Sequence, residues 1–167
     1  MTSNPDQADR PALPRDRVAA AHKTALILVL ALTLSVIIYA GVGLLIIHTR
    51  GSRPQAELPY PFYAAAAALA IGSIVFRRAQ LSATRLEGVA GTRGVNGLIK
   101  HLVNSTIVVA AFAEIIGVLA LVVAFNSGDQ ADVVRLGIVA LVVSLYNYPR
   151  RSAWQKAVDY FSVAMPK

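Results

Sequence analysis

The sequence predicts an all-α polytopic membrane protein: four transmembrane helices in an up-down bundle, with the N- and C-termini both cytoplasmic. Three observations predict it. The 167 residues are 56% hydrophobic and only 15% charged, where an average soluble domain is about 25% charged. Four long apolar runs use most of the chain, leaving no room for a second, soluble domain. The Lys and Arg residues gather in alternate connections, as the positive-inside rule requires of a multi-pass protein.

Residues 1–23, MTSNPDQADRPALPRDRVAAAHK, are polar, contain three prolines and carry charges of both signs. That composition predicts a disordered tail. The apolar run that follows starts too late, and is too long, to be the core of a cleaved leader, so it reads as an uncleaved anchor. The first span covers residues 24–47. A short irregular connection with Pro54 and Pro59 leads to the second span, residues 61–76. Pro61 suits a first helical turn because its missing N–H costs nothing there. Tyr60, Phe62 and Tyr63 suit the membrane interface, and Arg77-Arg78 ends the span.

Residues 77–101 read as a polar loop rich in Gly and Arg. Its core, GVAGTRGVNG, places Gly88, Gly91, Gly94 and Gly97 at every third position. A GxxG turn beside an arginine has the chemistry of a phosphate cradle, with backbone N–H groups as donors. A flexible linker accounts for the same glycines. The third span is residues 102–125, LVNSTIVVAAFAEIIGVLALVVAF. Asn126-Ser127-Gly128-Asp129 then makes a tight polar turn. The fourth span, residues 133–148, is ended by Pro149 and Arg150-Arg151. In the tail, residues 149–167, Trp154, Val158, Phe161 and Met165 fall at spacings of four, three and four. This single apolar face predicts a helix lying on the membrane surface.

With these spans, thirteen Lys and Arg residues fall on the side of the two tails and the middle loop, and three fall on the other side. The thirteen mark the cytoplasmic face. A net charge of +7 and a pI near 10.1 would point to nucleic acid in a soluble domain. Here topology accounts for the charge, no nucleic-acid module is recognisable, and no nucleic-acid partner is expected.

Glu114 is the one ionisable residue of the third span, at the thirteenth of its 24 positions. At about 1.5 Å per residue the span crosses a hydrocarbon core of roughly 30 Å, which puts Glu114 near the midplane. A carboxylate there costs a few kcal/mol on insertion scales, and no Lys or Arg lies at that depth. A hydrogen-bonded acid is therefore expected rather than an ion pair. Ser35, Tyr39, Ser73 and Ser144 lie within about two turns of its depth and are the candidate partners. Beside Glu114, the residues Thr106, Ala110, Ala113, Gly117, Ala120 and Ala124 recur at spacings of 4, 3, 4, 3 and 4. Such a stripe of small residues lets a neighbouring helix approach closely. Glu114 thus has two readings: a polar contact that holds a bundle together, or a group that binds a proton or cation.

Other chemistry lacks its parts. There is no cysteine, which excludes disulfides, thiolate metal sites and cysteine nucleophiles. His22, His48 and His101 fall at three membrane edges on two sides and cannot share a metal. No HExxH, GxSxG or P-loop pattern occurs. No catalytic residue, cofactor or metal is expected, and Arg135 reads as a side chain that snorkels to the headgroups.

The string AAFAEIIGVLALVVAF, residues 110–125, resembles the carboxylate-bearing helix of the proteolipid c subunit of rotary F- and V-type ATPases. That resemblance implies that Glu114 is an ion-carrying carboxylate. AAAAALAIGSIVFRRAQ, residues 64–80, looks loosely like the same family's small-residue helix and the basic loop after it. The overall layout is closer to small four-helix bacterial membrane proteins, for which the resemblance implies no established activity. These readings together predict a small non-enzymatic protein of the bacterial inner membrane. Its partners would be the lipid bilayer and, through the third helix, a second copy or another membrane protein. The alternative is a proton- or cation-coupled, proteolipid-like or transporter subunit that uses Glu114.

Overall fold

The computed structural model describes residues 14–51, 59–126 and 128–164, and it is all-helical over them. Helix α1 runs Pro14–Arg50, α2 Pro59–Gln80, α3 Ala83–Asn126, α4 Gln130–Tyr146 and α5 Arg151–Ala164. Local sequence explains the boundaries. Pro14 and Asp16 suit the first turn of α1, whose N-terminal dipole favours an acid. Gly51, with φ +75°, closes its end in the left-handed conformation that favours glycine. Ser82 caps α3, its Oγ accepting from the Arg85 N–H at 3.4 Å. Asp129 caps α4 by accepting from the Ala131 N–H at 2.8 Å.

Four helical stretches are long and apolar enough to cross a membrane: Asp16–Arg50, Tyr60–Gln80, Ala83–Asn126 and Gln130–Phe161. The last of these takes in α4, the break at residues 147–150 and most of α5. α4 alone has 17 residues, the short end of what spans a bilayer. Successive helices run in opposite directions. Tyr39 and Ser35 of α1 meet Glu114 of α3 in parallel, whereas Thr33 of α1 meets Ser144 of α4. The arrangement is not a simple ring of sequence neighbours, because α1 does not pack on α2. Both pack on α3 and α4, which touch each other across the middle. The outer surface is correspondingly aliphatic, with Ile27, Leu34, Ile38, Ile71, Ile138 and Val142 all exposed.

Packing divides into two storeys. The first is a core among α1 to α4, centred on Val36, Ile116, Ala120, Val123, Leu136 and Ala140. The second lies around the N-terminal parts of α1 and α3, where α5 packs on them. It joins Val18 and Ala25 of α1, Leu86, Ala90, Leu98 and Leu102 of α3, and Trp154, Val158 and Phe161 of α5. This helical annex corrects three expectations. Residues 14–23 are not a disordered tail but the first turns of α1, because Val18 and Ala25 are buried against α3 and α5. Residues 1–13 lie outside the described residues.

Residues 83–101 are not a loop: Leu86 with Ala90, and Leu98 with Leu102, give two helical faces that bury in the annex. Their glycines are absorbed within the helix except at Gly94, whose φ of 63° and ψ of −172° break α3 into two segments. That conformation is essentially restricted to glycine. A GxxG phosphate cradle is not formed. The apolar face of α5 is likewise spent on protein rather than on the membrane surface, with Trp154, Val158 and Phe161 each at most 7% exposed. Met165, the fourth residue of that face, lies outside the described residues. Tertiary burial, which a single segment does not display, decides all three cases.

Candidate functional site

The site is built on the parallel α1–α3 seam. Gly117 allows it: a methyl group there would stand 3.1 Å from Val36 Cγ2 and 3.3 Å from the Val36 Cα. About two turns further along, Gly43 faces Ala124 in the same way, a methyl group meeting Ala124 Cβ at 3.0 Å. The small-residue stripe is thus consumed inside the protein. Ala110, Ala113, Gly117, Ala120 and Ala124 are all buried, and Thr106 turns its hydroxyl back to the Leu102 carbonyl at 2.8 Å. A partner helix from another molecule cannot use that face while α1 occupies it.

Close approach brings α1 hydroxyls to the α3 carboxyl. Ser35 Oγ donates to Glu114 Oε1 at 3.1 Å, and Tyr39 OH donates to the same oxygen at 3.3 Å. Ser35 and Tyr39 are four residues apart, one helical turn, so both reach one point. The Leu32 carbonyl lies 2.7 Å from the same Ser35 Oγ, so the one hydroxyl proton is shared between that carbonyl and Glu114 Oε1, which fixes the rotamer. No hydrogen bond to Glu114 Oε2 occurs among the described residues. Glu114 is only partly buried. The same turns of α1 and α3 expose Leu34 and Ile38, and Ile115 and Val118. The carboxyl therefore lies at the rim of the seam, with one oxygen held by protein and the other beside an apolar outer surface.

The other two proposed partners are elsewhere. Ser144 shares a 2.6 Å hydrogen bond with Thr33, an α1–α4 contact. Ser73 donates to the Ala70 carbonyl at 2.8 Å and accepts from Asn147 Nδ2 at 3.4 Å, an α2–α4 contact. Counting depth alone placed them level with Glu114 but did not reveal which seam each faces.

Two polar clusters escaped the sequence reading. At one end, Asp132 is 5% exposed. It accepts from Tyr63 OH at 2.6 Å and from Arg135 Nη1 at 3.4 Å. Arg135 is therefore tied to a carboxylate three residues before it, a spacing visible in the sequence. At the other end, Arg77 Nη1 donates to the Tyr146 carbonyl and, at 3.3 Å, to Asn147 Oδ1. Its guanidinium also lies over the Tyr146 ring at 5.6 Å. Two histidines sit nearby in the annex: His22 Nε2 lies 3.1 Å from the Pro149 carbonyl, and His101 Nε2 lies 3.1 Å from the Gln80 carbonyl.

Fold and site together define an all-helical protein with four membrane-length helices and a carboxyl on a helix seam, a layout consistent with a multi-pass membrane protein. Comparison with protein-family models, with curated proteins and with solved structures gives no significant match in any of the three.

Proposed function

We propose that this chain is a non-enzymatic multi-pass protein of the bacterial inner membrane that assembles with a second copy of itself through the face around Glu114. Both termini and the helical annex lie in the cytoplasm. The observation that carries the reading is the half-bonded carboxyl. Glu114 takes two hydrogen bonds on Oε1 and none on Oε2, at the rim of a seam flanked by exposed aliphatic side chains. In hydrocarbon, a polar atom without a partner costs several kcal/mol. Two copies meeting at this face would give each carboxyl a donor or acceptor from the other, and Leu34, Ile38, Ile115 and Val118 would supply packing around it. Orientation rests on the thirteen-to-three asymmetry of Lys and Arg.

The test is resonance energy transfer between donor- and acceptor-labelled copies in liposomes. Glu114→Gln keeps a hydrogen-bonding side chain and should retain association. Glu114→Leu should weaken it by roughly 5- to 30-fold, the equivalent of about 1–2 kcal/mol for a membrane hydrogen bond. Undiminished transfer in Glu114→Leu would sink the reading.

A second reading has its own support: a carboxyl and two hydroxyl groups converge on one point at the rim of the bundle. That oxygen set suits a proton or a small cation. If Glu114 carries an ion, Glu114→Gln abolishes flux into vesicles while leaving the helical spectrum unchanged. Under the assembly reading the same variant changes neither.

A further inference from the structure

A cavity of about 190 Å³ lies between the membrane core and the annex, where α2 and α4 both end. Its walls are mostly apolar, including Leu102, Val109 and Trp154, and Arg77, Arg150 and Ser105 contribute polar groups to its lining. Three features set it apart from a packing defect. Two guanidinium groups line one small, mostly apolar space. No carboxylate among the described residues pairs with either one. Arg77 uses only Nη1 in its bonds to Tyr146 and Asn147, which leaves the rest of its fork to other acceptors.

From this cavity we infer a binding site for one anionic phospholipid, its phosphate held by Arg77 and Arg150 and the first part of one acyl chain lying against Leu102, Val109 and Trp154. Charge and position select that ligand. An anion neutralises two cations that line one apolar cavity, and guanidinium forks match phosphate oxygens. Both arginines stand where the chain leaves the apolar spans, the level at which headgroups lie, and basic pockets between membrane helices suit such lipids. Size limits the occupant. Drug-sized sites measure roughly 300–1,000 Å³, so this cavity takes part of one chain and a phosphate rather than a bulky solute. The site is independent of Glu114, which lies on another seam.

Trp154 lines the cavity and is the chain's only tryptophan, so it reports occupancy directly. The full chain is placed in phosphatidylcholine nanodiscs with increasing fractions of either phosphatidylglycerol or phosphatidylcholine, each brominated near the start of the acyl chain. Brominated phosphatidylglycerol should quench Trp154 at fractions where brominated phosphatidylcholine does not. Arg150→Gln should move the half-quenching fraction up about fivefold, the effect of one basic residue near an anionic surface. Arg150 is exposed, so this variant leaves the fold in place. Arg77 is left intact because it also ties α2 to α4. Soluble glycerol phosphate should not relieve the quenching. Equal quenching by both lipids, no response to Arg150→Gln, or relief by glycerol phosphate would each overturn the assignment.

Discussion

A methyl group on Gly117 would test the α1–α3 seam at its tightest point. In Gly117→Ala the new Cβ lands 3.1 Å from Val36 Cγ2 and 3.3 Å from Val36 Cα. Aliphatic carbons rest at about 3.5–4.0 Å, so the seam must open by roughly half an ångström. Val36 is 1% exposed and packed on every side. Its side chain can change rotamer, but its Cα can move only if α1 moves. Overpacking of this kind costs about 1–3 kcal/mol. The shift also carries Ser35 and Tyr39, whose bonds to Glu114 are already 3.1 and 3.3 Å long. Another half ångström takes both beyond the range of a good hydrogen bond. Gly72→Ala is the control, since a methyl group there meets nothing within 4 Å and gains helix propensity. Reversible unfolding in mixed micelles by SDS titration, followed by circular dichroism, measures both. Gly117→Ala should unfold at a lower SDS fraction by about 1–3 kcal/mol, and Gly72→Ala at the same or a higher one. A Gly117→Ala variant as stable as its parent would refute the close approach of the two backbones.

Three further outcomes follow from the same contacts. Gly94→Ala forces a residue with a Cβ into φ 63°, ψ −172°. It should cost about 1–3 kcal/mol, seen as faster amide exchange in residues 83–93 and α5 with the rest of α3 unchanged. Trp154→Ala empties the centre of the annex and should cost about 3–5 kcal/mol. Limited proteolysis should then cut α5 rapidly while α2 stays protected. Tyr63→Phe removes the 2.6 Å donor to buried Asp132 and leaves Arg135 as its partner. That should cost about 1 kcal/mol in the SDS titration, whereas Asp132→Ala should cost more because it strands both donors.

Much of the architecture was legible in the residues because helices long and apolar enough to cross a membrane leave a strong mark on the sequence. Apolar runs of spanning length, Pro149 as a stop and the small-residue stripe all survive as elements of the structure. Ser35 and Tyr39 were readable as Glu114 partners because they lie one turn apart on the first span at matching depth. Ser73 and Ser144 satisfied the same depth argument but face other seams, since depth fixes height along a helix and not rotation about it. The annex was not legible for a different reason. GVAGTRGVNG carries the marks of a loop, and only Leu86, Ala90, Leu98 and Leu102 burying against α5 override them. The stripe was legible as a packing surface but not in its occupant, which is α1 of the same chain.

Self-assembly at the Glu114 face is tested most directly by disulfide trapping in native membranes. The chain contains no cysteine, so each introduced thiol is unique. Leu34→Cys and Ile115→Cys place one beside Glu114, and Ile71→Cys places one on α2, away from that seam. Under mild oxidant, Leu34→Cys and Ile115→Cys should form covalent dimers and Ile71→Cys should not, and adding Glu114→Leu should diminish the first two. Dimers through Ile71→Cys alone, or none at any of the three positions, would contradict assembly through Glu114.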